Sequence, residues 1–166
     1  LIAAGMSAGA HMACILGVSS DHAQLNGELG EHLEESTEVM GVLALYPPTD
    51  FLSVRKDFDG LLDYYAEDSP VTQLLGESIT SAPEKSNLAS PLRRFTGACP
   101  PTLFLHGEAD PIVPVEQGVI LHETLLAAGV DSDLMRLAGY THGDHRFNRG
   151  APAERINAYL KNRATA

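Results

Sequence analysis

Three residues of this chain have the types needed for nucleophilic catalysis by a hydroxyl: Ser7 in "GMSAG", Asp110 in "HGEADPIVP" and His142 in "GYTHG". A serine hydroxyl is a weak nucleophile until an imidazole accepts its proton. The imidazole does so best when a carboxylate fixes its tautomer and stabilises its cation. The G-x-S-x-G spacing is a modest signal alone, since a chain of this length matches it by chance roughly once in twenty at ordinary Gly and Ser frequencies. Its physical content is a strand that reverses directly into a helix. Such a turn holds the serine in a strained backbone conformation, and side chains at the flanking glycine positions, Gly5 and Gly9, are expected to collide with neighbouring elements. The same turn puts the amide of Ala8 at the start of a helix, where its N–H and the positive dipole end suit an oxyanion. The bland alternative is that Ser7 only caps that helix.

Elements able to position these residues follow from the apolar pattern. Leu1–Ala4 reads as a strand entering Gly5, and Ala8 to Leu16 as a buried helix stopping near Gly17. Residues 18–38 are acidic and poor in large hydrophobes, an exposed connection with a turn of helix around Glu28 to Glu35. Val39 to Tyr46 is a nearly continuous apolar run halted by Pro47-Pro48, as in a strand covered on both faces. From Asp50 to about Ala98 the pattern is irregular and reads as a cap-like excursion. Thr102 to His106 restores a buried strand, Val115 to Ala128 an amphipathic helix, "DSDLMRLA" a strand, and Ala153 to Arg163 a closing helix. This alternation predicts an α/β fold over residues 1–166: one domain with a mostly parallel sheet, helices on both faces, and functional groups in loops beyond the C-terminal strand ends. The loops beginning at Gly5, Gly107 and Gly139 hold Ser7, Asp110 and His142.

Other chemically capable residues compete less well. Glu108 competes with Asp110 in one loop and His145 with His142 in another. The family resemblance given below favours Asp110 and His142, leaving Glu108 solvent-facing or locally bonded and His145 a rim or surface residue. His106, at a strand end, reads as buried and hydrogen-bonded to backbone; His11 as packed or bonded locally; Asp50 as a turn or helix cap. Tyr46, Tyr64, Tyr65 and Phe147 read as core rather than as pocket lining. No H-x-x-x-H pair or Cys/His cluster appears, so no metal or cofactor is implied. Cys14 and Cys99 are too far apart in sequence for a C-x-x-C site, and either two buried thiols or one bridge fits their spacing.

The 166 residues are 44% hydrophobic and 20% charged, a composition that supports one core. A formal net charge of −11 argues against nucleic acid and anionic membrane surfaces, which are bound through clustered Lys and Arg. No apolar run reaches the roughly 18 residues of a membrane span.

"GMSAGAHMA", "LYPPTD", "SPL", "PPTLFLHGEADPIVPVEQG" and "HETLLAAGVDSDLMRLAGYTHG" together resemble the α/β-hydrolase fold on its esterase and lipase side. The similarity is to the hormone-sensitive-lipase-like and bifunctional acetyl-xylan/feruloyl esterase-like branches, and it covers nearly the whole chain in the order Ser, Asp, His. It implies Ser7 as nucleophile, Asp110 as acid, His142 as base and Ala8 as one oxyanion donor, with small esters, acetylated sugars among them, as substrates. A prolyl-oligopeptidase-like peptidase, an arylformamidase and a non-catalytic binding module are the alternatives. The fold family draws its second oxyanion donor from an HGGG-type loop before the nucleophile strand, and no such loop precedes Gly5 here. The expectation is therefore an α/β-hydrolase domain lacking its N-terminal strands, weakly active or inactive by itself and self-associating along an exposed sheet edge.

Overall fold

A computed structural model describes residues 1–19, 30–54 and 58–164. Its sheet has four strands, β1 (Ile2–Met6), β2 (Gly41–Leu45), β3 (Thr102–Gly107) and β4 (Ser132–Leu137), paired in that order and all parallel. Every residue of β2 and β3 is buried. That burial is why these two segments read as unbroken apolar runs rather than alternating ones.

Helices cover both faces. On one, Ala10, Ala13 and Cys14 of α1 (Ala8–Val18) and Leu121 and Leu125 of α5 (Glu116–Ala127) pack on Val42, Ala44 and Phe104. On the other, Leu43, Leu45, Leu103, Leu105 and Leu137 receive Phe147 and the Ile156, Tyr159 and Leu160 side of α6 (Gly150–Ala164). The period-2 alternation of β2 sends Val42 and Ala44 to the first layer and Leu43 and Leu45 to the second. Each fully buried leucine contributes about 2 kcal/mol of apolar burial. The small residues on α1 let that helix sit close to the sheet, which draws its N-terminus up to the strand ends.

The excursion holds three short helices, α2 (Pro70–Leu75), α3 (Pro83–Ala89) and α4 (Pro91–Arg94), each opened by a proline whose missing N–H costs nothing at the first helical position. It has a small core of its own, Phe51, Val54, Tyr64, Val71, Leu75 and Ile79. Hydrogen bonds to backbone carbonyls join it to the Asp110 loop: Leu61 N–H donates to the Pro111 carbonyl at 2.6 Å and the Tyr64 hydroxyl to the Ile112 carbonyl at 3.1 Å. Asp50 forms the expected turn, accepting from Leu52 N–H at 3.1 Å, and in addition pairs with Arg93 at 2.9 Å while itself only 1% exposed. A buried carboxylate needs such a partner, and the sequence reading did not supply one.

Of the helical turn expected around Glu28 to Glu35, Glu28 and Leu29 lie outside the described residues. Between 30 and 35 there is a single turn closed by Glu35 N–H on the His32 carbonyl at 3.2 Å, not a helix. Cys14 and Cys99 are free thiols. Among the described residues β1 is paired on one side only, and its Ala4 and Met6 are exposed.

Candidate active site

Register brings the three loops to one level. Met6 pairs with Leu45, and Leu45 with Leu105, so β1 and β2 end level with Leu105, two residues before the end of β3; Ser7 N–H then donates to the Leu45 carbonyl at 3.0 Å, and Tyr46 N–H to that of Leu105 at 2.7 Å. Ser7 has φ 53° and ψ −120°, a left-handed conformation that costs an L-residue roughly 1–3 kcal/mol and persists only when its surroundings enforce it. The bond to Leu45 and the first helical bond, His11 N–H to the Ser7 carbonyl at 2.9 Å, do the enforcing. Gly5 explains the sharpness of the turn, since a Cβ there would lie 2.2 Å from the backbone carbonyl of Gly9. The crowding expected at both glycines falls on one: a Cβ at Gly9 meets nothing within 4 Å.

Ser7 makes no side-chain bond to the helix it precedes, so it does not act as a hydrogen-bonding cap. Its hydroxyl lies 2.8 Å from His142 Nε2, and His142 Nδ1 lies 2.8 Å from Asp110 Oδ2. An ionised carboxylate only accepts, so Nδ1 carries the ring proton and the Nε2 lone pair faces the Ser7 hydroxyl. Asp110 is buried, and its Oδ1 accepts from the amides of Ile112 at 2.8 Å and Val113 at 2.9 Å. The two loops are stitched together by Ala109 N–H donating to the Tyr140 carbonyl at 3.1 Å. The amide of Ala8 is the first of α1, where no residue of the helix can accept from it. The structure thus brings Ser7, Ala8, Asp110 and His142 to one place. This arrangement can remove a proton from a hydroxyl and hold the resulting imidazolium.

The competing residues fall elsewhere. Glu108 is exposed and pairs with Arg136 at 2.9 Å, and His145 is exposed. His106 is buried with a backbone partner, the Val113 carbonyl at 3.0 Å. His11 differs from its expected local partner: Nδ1–H donates across the fold to the Pro48 carbonyl at 3.1 Å, and its ring lies 5.2 Å from that of Phe51. Among the described residues no group of three or more His, Cys, Asp and Glu is arranged to hold a metal.

Tyr46 is core, as expected, and it also borders the site. It is the other non-glycine residue among those described with positive φ, 44°, and its ring meets the His142 imidazole edge-on at 4.6 Å and Phe147 at 5.0 Å. Burial, and then the Asp110 charge, push its phenol above the usual tyrosine range. Its place at the end of an apolar run, level with the Ser7 turn, was the available signal.

Burial also lowers the His11 and His106 pKa values, with the desolvation cost of the cation the main cause in both. A histidine depressed in the folded state leaves stability intact above its unfolded pKa near 6.5. Stability is lost as pH falls below that value, because the unfolded chain takes up the proton first. Urea unfolding should therefore show stability nearly level above pH 7 and falling from pH 6.5 to 5.5, by up to about 1.4 kcal/mol per pH unit for each histidine. His11→Asn, which keeps an N–H for Pro48, should flatten that slope by one proton.

Residues 1–125, which include Ser7 and Asp110, match the BD-FAE family. Esterase LipC of Mycobacterium tuberculosis (strain ATCC 25618 / H37Rv) is 31% identical over 143 residues, 84% of this chain and 34% of that protein. A truncated form of a carbohydrate esterase from gut microbiota superimposes with a TM-score of 0.83 at 23% identity, over 98% of this chain and 59% of that one. The propionate-bound esterase of Thermogutta terrifontis gives a TM-score of 0.63 at 23% identity, over 99% and 52%. The chain therefore spans about a third of that curated relative and just over half of those two solved structures. The parallel sheet and its covering helices are those of the α/β-hydrolase fold, and the chain belongs to the BD-FAE family.

Proposed function

We propose that this chain carries the Ser-His-Asp machinery of a carboxylic-ester hydrolase acting on small esters, acetylated carbohydrates among them. The supporting observation is the unbroken line from Asp110 through His142 to Ser7, with both links at 2.8 Å and the hydroxyl on a strained turn. Nε2 of His142 takes the Ser7 proton as Oγ attacks the ester carbonyl, and the oxyanion meets the Ala8 amide. The imidazolium returns the proton to the departing alcohol, leaving an acyl-serine. Water, deprotonated by the same imidazole, releases the acid and restores the hydroxyl. Asp110 stays ionised throughout and stabilises the imidazolium. The carbohydrate preference leans on the structural neighbour from gut microbiota.

Fluorophosphonate labelling reads the nucleophile directly, whatever the turnover rate. One equivalent should attach at Ser7 and none in Ser7→Ala, and p-nitrophenyl acetate and acetylated xylo-oligosaccharides should release acetate. Cleavage of aminoacyl anilides or formylkynurenine in place of esters would redirect the reading to a peptidase or an arylformamidase. A folded chain that resists the probe would make it a binding module.

We further propose that two copies associate along β1, which among the described residues is paired on one side only and carries the exposed Ala4 and Met6. The net charge of −11 opposes association and is screened by salt. Sedimentation mass should rise with protein and salt concentration, and Ala4→Lys on the exposed edge should restore the monomer. A wild-type monomer under all these conditions refutes it.

A further inference from the structure

The acyl-transfer scheme leaves one buried histidine without a task. His106 is the penultimate residue of β3, and its ring is wholly inaccessible to solvent. Nε2 lies 3.0 Å from the Val113 carbonyl and 3.7 Å from Asp110 Oδ2. A carbonyl accepts and does not donate, so Nε2 carries the ring proton. Nδ1 is then a bare acceptor with no partner, facing Gly118 of α5, where a Cβ would come within 2.8 Å of it. An unpaired buried acceptor costs about 1–3 kcal/mol, a penalty that an apolar ring of the same shape would avoid. The half of the imidazole that is satisfied points at the loop holding Asp110.

We propose that His106 is a positioning residue for the Asp110 carboxylate, acting through Val113. The proposal rests on the reading of Asp110 and His142 as the acid and base of the site. Val113 is held from two sides: its carbonyl accepts from His106 Nε2–H, and its amide donates to Asp110 Oδ1. Releasing the carbonyl frees the peptide whose neighbouring amides aim the carboxylate at His142. The same Nε2–H also stands near Oδ2, the oxygen that His142 uses.

Neutrality is part of the role. A cation at that distance would compete with His142 for the single negative charge of Asp110. The charged and titratable groups around the ring are Asp110 in its own loop, Glu116 at the start of α5 and His142 from the loop after β4. The two carboxylates favour protonation of His106, whereas burial and His142 oppose it, and burial is the largest influence. Protonated Nδ1 would find no acceptor against Gly118.

The test uses the 166-residue chain with 15N-labelled histidine, together with His106→Phe and His106→Gln. The phenylalanine removes the N–H and keeps the ring shape; the glutamine returns an N–H near the Nε2 position. Imidazole 15N spectra should show His106 neutral and protonated on Nε2 from pH 8 to pH 5. The rate constant for fluorophosphonate labelling of Ser7 should fall about tenfold in His106→Phe and recover in His106→Gln. The acid limb of that rate should move up in His106→Phe by roughly half a pH unit, because the positive end of an N–H dipole no longer disfavours the His142 cation. A His106 that titrates in this range, or sits protonated on Nδ1, overturns the proposal, as does a His106→Phe variant that labels like wild type with an unmoved acid limb. A wild-type chain that resists labelling refutes the acyl-transfer reading instead. Hydrogen exchange then decides this one, through Ile112 and Val113 amide protection lost in His106→Phe and kept in His106→Gln, or unchanged in both.

Discussion

Asp110→Asn should lower kcat on a p-nitrophenyl ester by about 10⁴-fold with KM almost unchanged and the melting temperature close to wild type. The asymmetric bonding of the carboxylate sets this expectation. Oδ1 accepts from two amides, Ile112 and Val113, so the asparagine must place its carbonyl oxygen there. Its NH2 group then takes the Oδ2 position, 2.8 Å from His142 Nδ1. Facing a donor, Nδ1 becomes an acceptor, and the ring proton moves to Nε2. That nitrogen now donates toward Ser7 and can no longer remove its proton. Geometry survives while the tautomer is wrong. Asp110→Ala, which imposes no tautomer, should lose less on His142 basicity and more on loop order. Steady-state kinetics with thermal melts separate the two variants, and Asp110→Asn retaining a tenth of wild-type turnover would remove Asp110 from the mechanism.

The site was legible in sequence to the extent that strand ends were. β2 and β3 are buried on both faces and announce themselves as apolar runs, and the residues just after β1, β3 and β4 are the ones that converge. Choosing Asp110 over Glu108 took the family resemblance, because the two lie in one loop. The physical difference is the turn that Asp110 makes with the Ile112 and Val113 amides, which points it inward, while Glu108 reaches the neighbouring strand at Arg136. What stayed hidden are pairings between distant segments. Neither the positive φ of Tyr46, nor His11 bound to Pro48, nor Arg93 on Asp50 leaves a periodic trace. Each is decided only when the sheet and excursion have packed. The turn of helix expected near Glu35 failed for a related reason. Residues 30–38 are exposed apart from their chain neighbours, and no packed face rewards helix formation there.

Gln117→Leu is expected to be the most destabilising side-chain change away from the catalytic line, costing about 3–5 kcal/mol of unfolding free energy. Gln117 sits in the first turn of α5, 2% exposed, and bridges to the segment that opens the excursion. Its Oε1 accepts from Thr49 N–H at 2.9 Å and Asp50 N–H at 2.8 Å, and its Nε2 donates to Ser53 Oγ at 3.1 Å. Its own carbonyl accepts from the Thr49 hydroxyl. Thr49 and Asp50 are themselves buried at 0% and 1% exposure, so water cannot replace the lost acceptor. Leucine fills the volume and orphans two backbone donors, and each buried orphan carries its full desolvation cost. The loss should extend to function, because the freed segment anchors Asp50 and, through it, Arg93 of α4. Urea unfolding should show a lower midpoint at unchanged slope. Proteolysis of the folded variant should cut first between residues 50 and 98, with the four-strand sheet core surviving longer. A Gln117→Leu chain within 1 kcal/mol of wild type would mean that the excursion is held by its apolar contacts rather than by this buried amide.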